Sequence, residues 1–85
     1  MVNDIFLAKK YGRIRLHLKE RMDEGGITRG QMAKLIGSRF EVVDKWYRNE
    51  VERLDLDVLA RICYVLGCEV QDILEYEQDS MQEPS

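Results

Sequence analysis

Thr28-Arg29-Gly30-Gln31-Met32-Ala33-Lys34-Leu35-Ile36-Gly37, continuing as Ser38-Arg39-Phe40-Glu41-Val42-Val43-Asp44-Lys45-Trp46-Tyr47-Arg48, is the stretch that decides the fold. Thr28 followed three residues later by Gln31 has the pattern of a capping box, in which each side chain satisfies a backbone N–H of the other residue. Met32, Ala33, Leu35 and Ile36 then supply an apolar helical face up to Gly37. The helical pattern resumes beyond Ser38, with Val43 and Trp46 turned inward and Glu41, Asp44, Lys45 and Arg48 turned outward. The spacing predicts two short helices, the second from about Phe40 to Arg48, joined by a tight turn at Gly37.

Two helices that cross closely through such a turn constrain particular positions. Counting from Arg29, the fifth residue is Ala33, small enough to let the next helix approach. The ninth is Gly37, able to take the positive φ of the turn. The fifteenth and eighteenth, Val43 and Trp46, are the apolar residues that would pin the second helix to the first and to the core.

Working outward, Ile14, Leu18 and Met22 recur at helical spacing within Arg13 to Asp23, and Gly25-Gly26 follow as a left-handed cap. Ile14-Arg15-Leu16-His17-Leu18 also alternates as a strand would, but a strand needs a partner and no second alternating run is read, so the helix is preferred. Asp55 can cap a fourth helix with Leu56, Leu59, Ile62, Cys63 and Leu66 on its apolar face and Gly67 at its end. A fifth is expected from about Val70 to Tyr76. The expectation is an all-α, five-helix domain over 11–76, preceded by an N-terminal arm at 1–10 and followed by a mobile acidic tail at 77–85.

A chain of 85 residues supports one core and one domain, which excludes a multidomain enzyme. It is 45% hydrophobic and 34% charged with a single proline, a balance that suits a compact helical domain. The formal net charge of -3 argues at first against a polyanionic partner. The distribution of that charge removes the objection. From Lys9 to Arg53 there are 12 Lys or Arg against 7 Asp or Glu, so the segment with the two short helices is basic and the acidity belongs to the remainder. Cys63 and Cys68 are too few for a secreted disulfide framework, and no targeting core or membrane span is read at the N-terminus; the expected compartment is the cytoplasm.

The chain resembles the Cro/C1-type (lambda-repressor-like) helix-turn-helix family over about Ile14 to Tyr76. Ile27-Thr28, Gln31-Met32-Ala33 and Leu35-Ile36-Gly37 carry the resemblance. So do Trp46-Tyr47-Arg48-Asn49, Leu54-Asp55-Leu56-Asp57, Leu66-Gly67-Cys68 and Asp72-Ile73-Leu74-Glu75-Tyr76, which look like the second half of small stand-alone regulators of that family. The resemblance implies a DNA-binding domain of five helices. The start of its second helix touches a phosphate, its third helix enters the major groove, and the loop beyond touches backbone again. It implies phosphate contacts from Thr28, Arg29, Arg48, Asn49 and Arg53, and base reading by Arg39, Phe40, Glu41, Val42 and Lys45. Phe40 departs from the usual polar or small residue at its position. Glu50 and Glu52 stand where close relatives are often basic.

Other chemistries fit less well. Trp46 stands at a buried helical position, so it reads as core and not as a stacking platform for single strands. Cys63, Cys68 and the lone His17 lack the paired spacing of a zinc site. Neither a nucleophile with a base, a carboxylate pair nor a phosphate-cradling glycine loop is read, so no enzyme, cofactor or small-molecule ligand is expected. Because one short recognition helix reads few bases, the expected regulator binds a palindromic double-stranded DNA site as a homodimer, with Ile5, Phe6, Leu7 and Tyr11 as candidate dimer contacts. Two alternatives stay open: a protein-interaction module of the same fold, using Phe40, Val42 and the neighbouring acids, and redox control through Cys63 and Cys68.

Overall fold

The computed structural model describes residues 11–78. The expected N-terminal arm, with Ile5, Phe6 and Leu7, lies outside the described residues, as does the expected tail beyond Gln78. In chain order the elements are β1 (Arg13–Leu16), α1 (Leu18–Gly25), α2 (Arg29–Ile36), α3 (Phe40–Tyr47), α4 (Leu56–Leu66), a single 3-10 turn (Val70–Asp72) and β2 (Leu74–Glu77). Four helices and a two-stranded sheet therefore replace the expected five-helix, all-α arrangement.

Helices α2 and α4 start where side-chain chemistry sets them. The Thr28 hydroxyl accepts from the Gln31 N–H at 3.1 Å while the Gln31 side chain accepts from the Thr28 N–H at 2.8 Å, closing the capping box. Asp55 accepts from the N–H groups of Asp57 and Val58 at the start of α4. At the far end of α2, Gly37 takes φ of 68°, and the next N–H, on Ser38, returns to the Ala33 carbonyl at 2.9 Å. That 6→1 closure turns the chain sharply enough to begin α3 two residues later. Arg61 of α4 donates to the Ile36 carbonyl at 2.7 Å, tying α4 to the same turn.

The core draws on β1 and all four helices. Leu18 and Met22 of α1, Met32, Ala33 and Ile36 of α2, Val43 and Trp46 of α3, and Leu59 and Ile62 of α4 are buried, with Leu16 and Ile73 closing it from the two ends of the domain. No buried side-chain N or O among the described residues lacks a hydrogen-bond partner.

The two terminal segments correct the expectation. Arg13–Leu16 is strand where the first helix was expected to begin, and Val70–Tyr76 is a 3-10 turn running into strand where a fifth helix was expected. The strands pair antiparallel in the register Arg13↔Glu77, Ile14↔Tyr76, Arg15↔Glu75 and Leu16↔Leu74. Both runs alternate. One face carries Leu16 and Leu74 onto the core; the other sets Arg13 and Arg15 against Glu75 and Glu77, with Arg13 Nε 3.1 Å from the Glu77 carboxylate. The missing partner for Ile14-Arg15-Leu16 is thus Leu74-Glu75-Tyr76-Glu77, a stretch that suggests helix because Ile73 and Leu74 fit a helical face as well as a strand. The backbone His17 N–H donates to the Ile73 carbonyl at 2.7 Å and extends the pairing to the start of α1. Gly12 is required beside it, for at φ of 83° a Cβ would stand 2.3 Å from the Glu77 carbonyl oxygen.

Candidate nucleic-acid interface

Burial of Ala33 in α2 and of Val43 and Trp46 in α3 locks the two helices together, which leaves the opposite side of α3 facing solvent. Glu41 and Lys45 are exposed there, with Arg39 at the N-cap of α3 and Arg53 in the following loop. Arg39, Lys45 and Arg53 make no ion pair with any described residue.

Of the ten residues expected to contact DNA, Arg39 and Glu41 stand exposed at the start of α3 and the other eight separate into three groups. The first is a groove of about 630 Å³ between α3 and the loop beyond it, lined by Val42, Lys45 and Arg53 but also by Glu50 and Glu52. Val42 is half-buried against the core and offers only part of its surface. Two cations and, with Asp55, three carboxylates therefore share this groove, which lowers the attraction that bulk charge alone would supply.

The second group gathers at the start of α2. The Arg29 guanidinium lies 5.5 Å from the centre of the Phe40 ring and 4.8 Å from that of Tyr47, and it donates to the Asp44 carboxylate. Arg48 reaches the same carboxylate from one turn further along α3, its Nε 3.2 Å from Asp44 Oδ2. Phe40 is 48% exposed, so it neither folds into the core nor stands free; its ring is a support for Arg29. Tyr47 is anchored in turn, its hydroxyl donating to Asp23 at 3.0 Å while Lys19 pairs with the same carboxylate at 3.0 Å. The Lys19 ammonium and the Tyr47 hydroxyl hold the Asp23 carboxyl below its ordinary pKa, and Asp23 raises that of Lys19.

Thr28 and Asn49 form the third group, each with its side-chain oxygen accepting a backbone N–H of the fold. The Thr28 hydroxyl is occupied by the cap of α2. Asn49 takes φ of 61° at the end of α3, where its N–H donates to the Trp46 carbonyl and the Glu50 N–H to that of Lys45, and its side-chain oxygen accepts from the Leu16 N–H at 2.9 Å. The carboxamide expected at a phosphate thus fastens α3 to β1. Asn49→Ala is expected to lower stability by about 1–3 kcal/mol, because the part-buried Leu16 N–H loses its acceptor and alanine resists the left-handed backbone. Asn49→Gly should lose less, keeping the backbone relaxed. Urea denaturation of the two variants checks this ranking, and an alanine variant as stable as the parent would show that the contact contributes nothing.

Asp44 and Tyr47 belong to this surface without having been expected there. Their spacing was the available signal: four and seven positions after Phe40 places all three on one helical face, and Asp44 precedes Arg48 by the four positions of an ion pair. The partner across the helices, Arg29, was not visible in any local spacing.

Helices α2 and α3, crossing through the Gly37 turn with a solvent-facing basic and apolar surface, define a helix-turn-helix domain. The model of the Cro/C1-type HTH DNA-binding domain matches residues 17–79, and the chain belongs to that family. Among solved structures the fold is similar to that of a Bacteroides fragilis protein named for DNA binding, with a TM-score of 0.66 at 17% identity, covering 74% of this chain and 100% of the other. It is also similar to that of the transcriptional regulator VanUg, with a TM-score of 0.66 at 22% identity, covering 93% of this chain and 100% of the other. No curated protein matches the chain.

Proposed function

We propose that the protein is a sequence-specific, double-stranded DNA-binding transcriptional regulator that reads a palindromic site as a homodimer in the cytoplasm. The observation that carries the reading is the set of unpaired cations, Arg39, Lys45 and Arg53, flanking the exposed side of a helix whose other side is locked into a helix-turn-helix core. In this reading α3 enters the major groove, Lys45 donates to a guanine edge, Glu41 accepts from a cytosine amino group, and Phe40 and Val42 offer apolar contact to thymine methyls. Arg29 and Arg48 reach phosphates beside the start of α2, where free backbone N–H groups also favour an anion. A helix of eight residues reads few base pairs, and a second copy doubles the site.

Selection of bound sequences from a random duplex pool tests this. The expected result is enrichment of an inverted repeat, with affinity falling as salt rises, since each phosphate contact contributes a slope of about -0.9 in log K against log salt. A pool that stays unenriched after repeated rounds would overturn the reading. One observation favours the second reading, a protein-interaction module: Arg29 and Arg48 both face Asp44, and Glu50 and Glu52 share the groove with Lys45, so the surface is less basic than its composition suggests. A non-enriching pool together with a protein partner whose binding is lost in Phe40→Ala would establish that alternative.

A further inference from the structure

We propose that Asp44 attenuates DNA affinity and its salt dependence by partly neutralising the phosphate-contacting arginines; the inference rests on the DNA-binding reading above. Asp44 projects from the middle of α3 and is the one carboxylate among the described residues that receives both Arg29 and Arg48. Its side chain is 22% exposed against 38% for Arg29 and 56% for Arg48, so it lies beneath them. The two guanidiniums therefore present to solvent a combined charge nearer one than two, and a phosphate drawn to them comes close to a fixed negative charge.

Non-specific binding is supplied almost wholly by phosphate contacts, so a carboxylate set under two of them weakens it directly, and a cognate complex that uses the same arginines carries the same penalty. A cognate site adds base contacts from the other groove, through Lys45 and Val42, which Asp44 does not line. The residue thus lowers absolute affinity for any duplex and leaves discrimination to the base contacts. It does not have to hold Arg29 in place by charge, because the Phe40 and Tyr47 rings bracket the guanidinium independently.

Asp44→Asn removes the charge and keeps an oxygen that can accept from Arg29. With the full chain and a scrambled-sequence duplex as probe, fluorescence anisotropy over a salt series is expected to show affinity rising about tenfold at low salt. The log–log salt slope should steepen by about one unit, as one further phosphate contact becomes available. Asp44→Glu, which restores the charge, should return the slope toward that of the parent. The selected site should tighten by a similar factor, so that the ratio of its affinity to that of the scrambled duplex stays close to the parent's. A thermal melt establishes that each variant is folded, and Asp44→Ser replaces Asp44→Asn if the latter does not fold. A folded variant that binds the scrambled duplex no more tightly, with an unchanged slope, overturns the role of Asp44 while leaving DNA binding intact. If the parent chain itself binds no duplex in a salt-dependent manner, the DNA-binding reading and this inference fall together.

Discussion

Trp46→Ala is expected to lower the free energy of unfolding by about 3–5 kcal/mol, the cost of removing a large aromatic side chain from a packed core. Trp46 is 3% exposed and joins Val43 in fastening α3 to α2 and the rest of the core. A domain of this size has about 5–15 kcal/mol in all, so the loss takes from about a fifth to the whole of its stability. If it still folds, its melting temperature should fall by roughly 12–40 °C, from about 4–8 °C per kcal/mol. Trp46→Phe should lose less, as it keeps an aromatic ring in the same space. Thermal and urea melts followed by circular dichroism check both. A fall of only a few degrees in Trp46→Ala would mean that the indole does not fill the core as its burial indicates.

The second large effect concerns the groove between α3 and the loop that follows. Lys45→Ala should weaken the selected DNA site on the order of 10–100-fold, the discrimination of one good base contact, and should leave a scrambled duplex almost unchanged. Arg53→Ala should weaken both duplexes alike and flatten the log–log salt slope by about one unit. The two residues line the same groove, so the contrast between them separates base reading from phosphate contact without altering the fold around them. Affinities for both duplexes over a salt series give the result. Equal losses on the two duplexes in Lys45→Ala would place that lysine at a phosphate and remove it from the reading surface.

Local chemistry was enough to place α2, α3 and α4. Thr28, Gln31 and Asp55 act within three residues of themselves, and Gly37 and Gly67 end helices by a left-handed backbone conformation that glycine adopts without strain. Burial of Ala33, Val43 and Trp46 follows from periodicity alone. The strands were not legible in the same way. Arg13 and Glu77 are 64 positions apart, and each four-residue run is too short for periodicity to tell strand from helix. Neither run would be stable in isolation; pairing with the other, with Leu16 and Leu74 set against the core, is what makes both extended.

The candidate site divides along the same line. The exposed cations on and around α3 were visible because outward-facing positions on a helix follow from its period. The state of those residues was not. Asn49 and Arg29 were both expected at phosphates; the Asn49 side-chain oxygen accepts from the Leu16 N–H, a partner 33 positions away, and Arg29 lies against Phe40, Asp44 and Tyr47.

What the sequence by itself determined is the helix-turn-helix scaffold: where α2 and α3 begin and end, which faces they bury apart from Leu35, which was expected on the apolar face of α2 and is exposed, and which side chains they leave toward a partner. Capping, backbone preference and amphipathic period all act over a few residues, and a local pattern carries them whole. Only the tertiary structure decided that β1 and β2 close the domain as a sheet, that Asn49 fastens α3 to it, and that one carboxylate restrains two of the cations. Those outcomes depend on groups far apart in the chain competing for the same hydrogen bond or charge, and that competition is settled only when the core brings them together.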